Sequence, residues 1–467
     1  MAITSVSFQP KLWTSGYNPI IWTVNSNINT LPDMRYVFDV YVNAATGATA
    51  YTYRVKQRPN PSGYGQIDVS SLVQPFINLT NVNYEKTTTQ YKSTSDINPY
   101  VHVKVGEEYT VSGVTTSLNG SGVTGAPGYF LSPYGATGYS VRVIPASLDF
   151  NTQIGIMQDT TVFNPFWSNY IMDGNDGKFL SLEPGDRSIR LTDRYTLTFL
   201  NIWDFAGSPG TYAQSILGME YKLYNAAGTM TYSNFINNTV ANGGGPQTTA
   251  TYTSITSVRG TDFLTFRCGP ADLADIALAN PAYYTVTAYV KITATSSPTP
   301  VYMASQTIRF NIDTQCEDLY PNVRLSWLNS LGGRDYYNFD MFYEKTTKSK
   351  AEVYNQVPLN WSSSAPVNNA SSTTPFENYM RGGDKVYNKT VDTEFTIQTD
   401  YLTQEYVDYL ADIAESPSVW AYIGDEDIPT TVVVSNVDYT YKNVKQTKLV
   451  QATFTCKVTK NQVKQSL

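Results

Sequence analysis

The chain contains one histidine, His102, which limits the catalytic centres that the sequence can form. A Ser-His-Asp or Cys-His centre would have to use it as the base, because imidazole takes the proton from the nucleophile in such centres. His102 stands between Val101 and Val103, in a run where apolar and polar residues alternate. This alternation marks a strand with one buried face, so we expect His102 on the solvated face. We therefore predict that the chain is not an enzyme.

Possible metal ligands are sparse and scattered. Zinc sites combine several histidines or clustered cysteines, whereas the three cysteines lie far apart, at Cys268, Cys316 and Cys456. The run 173–177, Asp-Gly-Asn-Asp-Gly, has the composition of a calcium-loop opening, but Gly177 and the final glutamate, Glu183, each come one position early. A Gly/Asn/Asp turn accounts for the same run. We predict no metal, no disulfide framework and no cofactor.

Two other kinds of chemistry lack the residues that define them. A phosphate-binding loop needs a lysine or a third glycine, and the pairs Gly332-Gly333 and Gly382-Gly383 have neither, so we interpret them as turns. Glycoside hydrolysis needs two convergent carboxylates, and a chain with 39 acidic residues does not indicate which two would converge. A polysaccharide or cell-wall hydrolase is therefore our third hypothesis for function.

The C-terminal segment is basic. After Asp438 the chain has no acidic residue and six lysines, Lys442, Lys445, Lys448, Lys457, Lys460 and Lys464. These lysines could form a basic face against an acidic subunit or DNA, or they could protect an edge strand from aggregation. The net charge of −7 argues against nucleic acid as a partner, so we favour the edge strand or the subunit contact.

The composition favours β-structure and polar aromatic surfaces. Charged residues make up 15% of the 467 residues, and the 37 tyrosines are abundant for this length. Tyrosine fits a half-buried sheet surface and supplies contact area with a polar tip, which suits interfaces. The first residues have no signal-peptide pattern, and no run approaches the 18 apolar residues of a membrane span. We expect synthesis in a cytoplasm and no membrane span.

The order of predicted elements recurs within the chain. A hairpin turn, a short helical stretch and a strand occur first at 43–47, 68–73 and 101–105, and again at 225–228, 270–276 and 284–292. We therefore predict a mostly β fold, with tandem Ig-like β-sandwich domains and a small C-terminal α+β domain. The predicted segments are a sandwich at 1–110, a loop-rich β connector at 111–190, a related sandwich at 191–315, an aromatic strand and polar loop at 316–375, and the α+β domain at 376–467.

The C-terminal domain is predicted to contain one amphipathic helix. Tyr406, Leu410 and Ile413 lie at helical spacing, Thr403 is a suitable N-cap, and Ser416-Pro417 ends the helix.

Three long polar stretches, 112–138, 237–251 and 360–374, cannot bury enough apolar surface to order themselves alone. The first nevertheless contains Tyr129, Phe130 and Tyr134. Aromatic residues in a flexible segment suit an arm that folds on contact with a neighbouring subunit. The alternative is an arm that folds back onto its own domain. We predict a subunit interface at these three residues and at Tyr336 and Tyr337, although a core position is an equal alternative for the last two.

Three parts of the sequence resemble a known group of proteins. They are YNPIIW at 17–22 with RYVFDVYV at 35–42 and PNP at 59–61, WLNSLGGRDYYNF at 327–339, and residues 402–420 with 437–442. Together they resemble structural proteins of tailed bacteriophages that infect Bacteroidetes, crAss-like phages included. The resemblance implies a virion protein of the tail or neck, made in the host cytoplasm.

We expect a ring or hub component that forms a homo-oligomer and contacts other virion proteins, with DNA contact unlikely on charge grounds. The main alternative is a receptor-binding or glycan-binding tail protein, an adhesin whose polar loops contact the host surface.

Overall fold

The computed structural model describes residues 3–11, 13–43, 51–77, 91–93, 99–119, 129–131, 141–158, 165–170, 177–200, 212–237, 263–294, 301–313, 322–356, 383–424, 429–439 and 449–459. The chain divides into two compact units. Unit 1 comprises Met1–Cys316 with Leu328–Asp335, and unit 2 comprises Glu317–Trp327 with Tyr336–Leu467. Strands predominate in both units, as the sequence predicts.

Unit 1 is built from short and medium strands. They are β1 (Ile3–Phe8), β2 (Trp13–Ser15), β3 (Ile21–Ser26), β4 (Arg35–Asn43), β5 (Tyr51–Gln57), β6 (Gly65–Asp68), β7 (Tyr91–Ser93), β8 (Tyr100–Val111), β9 (Val114–Asn119), β10 (Tyr129–Leu131), β11 (Val141–Ile144), β12 (Arg187–Ile189), β13 (Thr196–Leu200), β14 (Tyr212–Tyr224), β15 (Met230–Asn237), β16 (Phe263–Arg267), β17 (Tyr283–Ala294) and β18 (Val301–Ile312).

The helices of unit 1 are short. They are α1 (Ser70–Val73), α2 (Phe150–Gln158), α3 (Pro165–Ser168) and α4 (Ala274–Ala279). A 3₁₀ turn, Gln74–Phe76, follows α1, and another, Pro270–Asp272, precedes α4.

The two halves of unit 1 share one sheet order. The first half has a large sheet ordered β2-β11-β8-β4-β5, with β9 and β10 also paired to β8, and the second half has β12-β18-β17-β14-β15. In each, the first strand of the order pairs in parallel with its neighbour, β2 with β11 and β12 with β18. The small sheets are β1-β3-β6 and β13-β16-β7. Equivalent positions in the two large sheets are held by β2/β12, β11/β18, β8/β17, β4/β14 and β5/β15, and the small sheets match at β3/β13 and β6/β16.

In β8 alternate side chains are buried, as predicted, whereas at the centre of β4 side chains on both faces are buried. Val101, Val103 and Val105 are buried, while His102 and Lys104 are half-buried. In β4 both Phe38 and the polar Asp39 are buried, so side chains cover both faces at its centre. Asp39 accepts two hydrogen bonds from the Arg54 guanidinium, at 2.7 and 2.8 Å, which compensate its burial.

Unit 2 is one sheet with a helix. Its strands are β19 (Val323–Leu328), β20 (Arg334–Phe339), β21 (Phe342–Gln356), β22 (Gly383–Gln398), β23 (Leu402–Thr403), β24 (Val419–Ile423), β25 (Thr430–Tyr439), β26 (Leu449–Val450) and β27 (Ala452–Val458). The seven-stranded sheet has the order β20-β19-β24-β25-β27-β22-β21, and β23 pairs with β26. We predict a separate segment at 316–375, which contains β19, β20 and β21, but these strands belong to the same sheet as the C-terminal strands.

The predicted helix is present as α5, Gln404–Glu415, and ends before Ser416-Pro417. Its buried side chains are Val407, Tyr409, Leu410 and Ile413, while Tyr406 is only half-buried. Thr403 occupies the N-cap with extended backbone, but its side chain makes no capping hydrogen bond. The helix is therefore held by the packing of its apolar face and not by the predicted cap.

The predicted loop at 112–138 is wrong in part. Val114–Asn119 forms β9 and Tyr129–Leu131 forms β10, and both pair antiparallel with β8. Backbone pairing within the sheet, which composition does not reveal, satisfies the hydrogen-bonding groups of these two segments. The stretches 238–251 and 360–374 lie outside the described residues.

Candidate functional site

The interface residues predicted from the sequence have different surroundings. Tyr129 and Phe130 lie in β10, whose backbone pairs with β8 of the same sheet. This part of the arm therefore folds back onto its own domain, which is the alternative to an arm that binds a neighbouring subunit. Their side chains, and Tyr134, lie outside what the structure describes. The interface stays a prediction for these three residues.

Tyr336 and Tyr337 occupy the strand β20 in unit 2. Tyr336 is 3% exposed, so it occupies a core position, which is the alternative to the predicted subunit interface. The guanidinium carbon of Arg324 lies 4.5 Å from its ring centroid, and the Tyr409 hydroxyl donates to its carbonyl oxygen at 3.3 Å. Tyr337 is half-buried, with its ring centroid 4.9 Å from that of Phe339. Tyr336 therefore offers no surface to a partner.

Only one of the six lysines of the predicted basic face is described. Lys457 lies in β27, and its Nζ is 3.2 Å from an Asp392 carboxylate oxygen on β22. Lys442, Lys445, Lys448, Lys460 and Lys464 lie outside the described residues. The described lysine is thus balanced by a carboxylate of the neighbouring strand.

His102 belongs to a stack of side chains on the sheet surface. Its ring lies 4.6 Å from the Tyr41 ring at an angle of 9°, and Lys104 Nζ lies 5.0 Å from the same Tyr41 ring. Burial, with a smaller contribution from the Lys104 charge, lowers the pKa of His102. No cluster of His, Cys, Asp and Glu that could hold a metal ion occurs among the described residues, and the 173–176 run lies outside them.

Asp335, in the distinctive Gly-Gly-Arg-Asp run, is fully buried in unit 1. Its carboxylate accepts hydrogen bonds from the Ser181 hydroxyl at 2.5 Å, from the Leu182 N–H at 2.9 Å and from the Asn329 side chain at 2.8 Å. Gly332-Gly333 is predicted as a turn, and the sequence assigns no role to the Asp335 carboxylate. This carboxylate binds residues about 150 positions away in sequence, so the run stabilises the core of unit 1.

A second charged pair lies next to this carboxylate. The Arg187 guanidinium donates to the Ser181 hydroxyl at 2.7 Å and pairs with Glu183 at 3.0 Å, with both side chains almost fully buried. The Tyr195 hydroxyl donates to Glu183 at 2.8 Å. Because these buried charges are paired and hydrogen-bonded, we interpret them as a network that maintains the fold.

A two-stranded hairpin of unit 2 extends beyond the part of its sheet that has a core. We call this hairpin the ribbon. It consists of residues 346–356 of β21 and 383–393 of β22, paired antiparallel. Beyond it, β22 pairs with β27 only from Glu394 to Gln398. At about 3.4 Å per residue the ribbon is about 35 Å long. No other described strand of the sheet continues along it.

The ribbon is exposed on both faces. Every residue from 344 to 355 is exposed, and none of the described side chains from 383 to 393 is buried. The first buried residue of β22 is Phe395. Strands that pack on a core bury alternate side chains, and an isolated two-stranded hairpin is marginally stable in water. The ribbon therefore has the properties of a segment that gains stability from a partner.

One face of the ribbon is nearly uncharged. Directly opposite residues share a face, so one face carries Thr347, Ser349, Ala351 and Val353 opposite Thr393, Val391, Lys389 and Val386. Further along the strands the same face holds Phe395 and Ile397, which are buried in unit 2. This face, which we call the uncharged face, therefore continues the core side of the sheet beyond the core. Its charged members within the ribbon are Lys389 and Asp384, which lies opposite Asn355.

The other face is charged. Lys348 Nζ lies 3.1 Å from a Glu394 oxygen, and the Asn388 side chain donates to Glu352 at 3.2 Å, which lowers the pKa of Glu352. Near the far end, the rings of Tyr354 and Tyr387 lie 6.3 Å apart, and the two residues are 48% and 57% exposed. Exposed tyrosines and an uncharged β-face are features of protein–protein contacts.

Unit 1 also has a surface cleft, with a volume of about 550 Å³. It is lined by 29–31, 33–34 and 58–63, which include the Pro-Asn-Pro run. Its charged members are Asp33 and Arg58, and the lining contains no aromatic ring. A sugar site commonly uses an aromatic face, so the cleft gives no specific support to glycan binding.

Comparison with known proteins adds no relative: no protein-family model matches this sequence, and no curated protein is significantly similar to it. In the part of the chain that the structure describes, no helix has the length and apolar character needed to cross a membrane.

Proposed function

We propose that the chain is a non-enzymatic structural subunit of a phage virion, a tail or neck ring or hub component that assembles through its β-domains. The ribbon is the observation that carries the assembly role, because it is about 35 Å of paired strand with neither face covered. The virion assignment is supported by the three stretches that resemble structural proteins of tailed phages.

The uncharged face of the ribbon is the surface that we expect a neighbouring subunit to cover. A contact at Val353, Val386 and Val391 would remove apolar side chains from water, and each Å² of buried apolar area contributes about 25 cal/mol. Such a contact would also stabilise the hairpin itself. A solvated ribbon would gain nothing from leaving this face uncharged.

Removal of the ribbon tests the assembly role. Replacement of residues 348–392 by Asn-Gly joins Thr347 to Thr393, which pair in the parent chain, through a turn suited to a two-residue hairpin. We expect the shortened chain to fold with an unchanged unfolding midpoint, because none of the described side chains that it loses is buried. We expect it to stay monomeric in electron micrographs and light scattering under conditions where the parent chain assembles.

A second hairpin supplies the matched control. Replacement of residues 110–115 by Asn-Gly removes the tip between β8 and β9, where Val111 and Val114 are 49% and 65% exposed. We expect this variant to assemble normally. A ribbonless chain that still forms closed rings would contradict the proposed function, as would a parent chain that remains a compact monomer at every concentration tested.

We also propose that the halves of unit 1 are tandem Ig-like sandwiches that arose by duplication. The matched sheet orders and the two parallel edge pairs support this. In the second half, Asn225 and Gly228 form the turn between β14 and β15, with the Gly228 N–H donating to the Asn225 carbonyl oxygen at 3.0 Å. The corresponding turn after Asn43 lies outside the described residues. An experimental structure in which that turn occupies another place in the sheet would refute the duplication.

A further inference from the structure

Among the described strands, β15 forms an uncharged edge of unit 1. It is the last strand of its sheet, and its sequence, Met-Thr-Tyr-Ser-Asn-Phe-Ile-Asn, has no charged residue, proline or glycine. Residues 230–234 are all exposed, including Met230 at 52% and Tyr232 at 40%. The outer edge of such a strand presents backbone N–H and C=O groups to which another strand can add.

The corresponding strand in the first half carries the charges that β15 lacks. β5 is the last strand of the matching sheet and carries Arg54 and Lys56. Arg54 pairs with Asp39 and Lys56 pairs with Glu108, each at 2.7 Å. Charged side chains on an edge strand discourage a further strand from pairing with it. The β5 edge thus carries charges that disfavour the addition of another strand, and the β15 edge does not.

Two carboxylates flank the β15 edge. Asp275 accepts hydrogen bonds from the hydroxyls of Tyr232 and Tyr221, at 3.0 and 2.5 Å. These hydrogen bonds lower the pKa of Asp275, so it is ionised at neutral pH. On the other side, Ser233 donates to Glu220 at 3.2 Å, and Lys222 pairs with the same carboxylate at 3.0 Å, which offsets its charge. A contact between two β15 edges would bring two Asp275 carboxylates together, and like charges at a contact disfavour association.

The edge strand β21 of unit 2 has the complementary charge. It is the last strand of its sheet, and its exposed part carries Lys345, Lys348 and Lys350 against Glu344 and Glu352. We propose that β21 of one copy adds to the β15 edge of a second copy, with the lysines of β21 near the carboxylates beside β15. This inference rests on the proposed function, because it names the partner of the ribbon.

The contact joins different surfaces of two identical chains, one from unit 1 and one from unit 2. A heterologous contact of this kind repeats from copy to copy, and it closes into a ring when the rotation between copies allows. The edge of β21 and the uncharged face of the ribbon are separate surfaces, so a single ribbon can pair through its edge and cover apolar residues through its face.

Cross-linking between two marked chains tests the pairing. We would prepare full-length chains with Ser233→Cys in β15 and, separately, Ser349→Cys in β21, both in a Cys316→Ser background. Cys268 and Cys456 are buried, and the background chain alone controls for their reaction with the linker. With a short thiol-reactive cross-linker, we expect a covalent dimer in the mixture of the two variants and none in either variant alone.

Two results would overturn the inference. A dimer formed by Ser233→Cys chains alone would show that β15 pairs with itself. Closed assemblies in the mixture without a cross-linked dimer would show that the ribbon uses another partner surface, and the proposed function would stand. Failure of the parent chain to assemble at all would contradict the proposed function itself, so the two failures are distinguishable.

Charge exchange gives an independent readout. We expect Asp275→Lys or Lys350→Asp alone to weaken association by about tenfold, and the two together to restore it. Asp275→Asn, which keeps the size of the side chain, guards against misfolding of the lysine variant and should also weaken association. Lys385→Asp, on the second strand of the ribbon, β22, is the matched control and should leave association unchanged. Equal effects of Lys350→Asp and Lys385→Asp would contradict edge pairing.

Discussion

Asp68 and Asp272 accept equivalent backbone hydrogen bonds, one in each half of unit 1. Asp68 ends β6 and accepts from the Ile20 N–H, just before β3, at 3.0 Å. Asp272 follows β16 and accepts from the Tyr195 N–H, just before β13, at 3.4 Å. The Ile20 carbonyl oxygen in turn accepts from the Val69 N–H, and the Tyr195 carbonyl oxygen accepts from the N–H groups of Cys268 and Gly269. Each aspartate therefore fixes the point where its strand pair begins.

The two aspartates should differ in their contribution to stability. Asp68→Ala removes hydrogen bonds to Ile20 and Ser70, as the loss of a helix cap does, and should cost about 1 kcal/mol. Asp272→Ala also removes the ion-pair partner of Arg267, whose side chain is 10% exposed, and should cost about 3 kcal/mol. Urea unfolding of unit 1 measures both. Equal losses would show that the Arg267 pair contributes nothing.

Glu107→Gln should stabilise unit 1 at neutral pH. Glu107 is fully buried opposite Tyr36, and burial raises its pKa, with a partial offset from Ser26. Burial, together with the Glu107 charge, also raises the pKa of Tyr36 to about 12.

The folded chain therefore holds the Glu107 proton more tightly than the unfolded chain. Stability then falls as the pH rises above the ordinary carboxyl value of 4.5 and stops falling above the folded pKa. We expect the Gln variant to gain about 1 kcal/mol at pH 7 and to match the parent chain at pH 4. A gain of the same size at both pH values would exclude ionisation as its cause.

Asp335→Ala should strongly destabilise unit 1. The change leaves the Leu182 N–H and the side chains of Ser181 and Asn329 without their acceptor inside the core, at a cost of about 3–5 kcal/mol. Asp384→Ala, in the exposed ribbon, is the control and should change the unfolding free energy by less than about 0.5 kcal/mol. A small effect of Asp335→Ala would mean that water replaces the carboxylate.

Gly333→Ala and Gly155→Ala should have opposite effects. A methyl group on Gly333 would overlap the Leu180 carbonyl oxygen, so the turn must move, at a cost of about 3 kcal/mol. Gly155 lies in α2, where no heavy atom of the described residues outside this helix lies within 4 Å of the new methyl group, and alanine there should add about 0.5–1 kcal/mol to the stability. Thermal unfolding of both variants checks this: the midpoint should fall for Gly333→Ala and rise for Gly155→Ala.

Local patterns in the sequence predict the local elements well. The alternation at 101–105 predicts the buried valines of β8, and the helical spacing at Leu410 and Ile413 predicts the apolar face of α5. Both patterns depend on contacts within one strand or one helix, and such contacts leave a period in the sequence.

Pairings that join distant parts of the chain leave no such period. The ribbon joins residues on either side of the predicted boundary at 375, and the connection between its strands is far longer than the two to five residues of a hairpin that sequence reveals. The run of Lys, Thr and Glu in β21 is the signal that could have identified a strand exposed on both faces. The burial of Asp335 next to Ser181 is likewise set by the tertiary fold and has no local signal.

Strand β7 has a consequence for how the chain is made. It lies in the first half of unit 1 but pairs with β16, about 170 residues later in the sequence. At a synthesis rate of about 5–20 residues per second, β7 leaves the ribosome roughly 10–35 s before its partner strand exists. The segment that carries β7 therefore cannot reach its paired position during translation until the second half has emerged. Its aromatic strand Tyr91–Ser93 must wait unpaired until the second half emerges, which makes this interval the time of greatest risk for aggregation and for binding by chaperones.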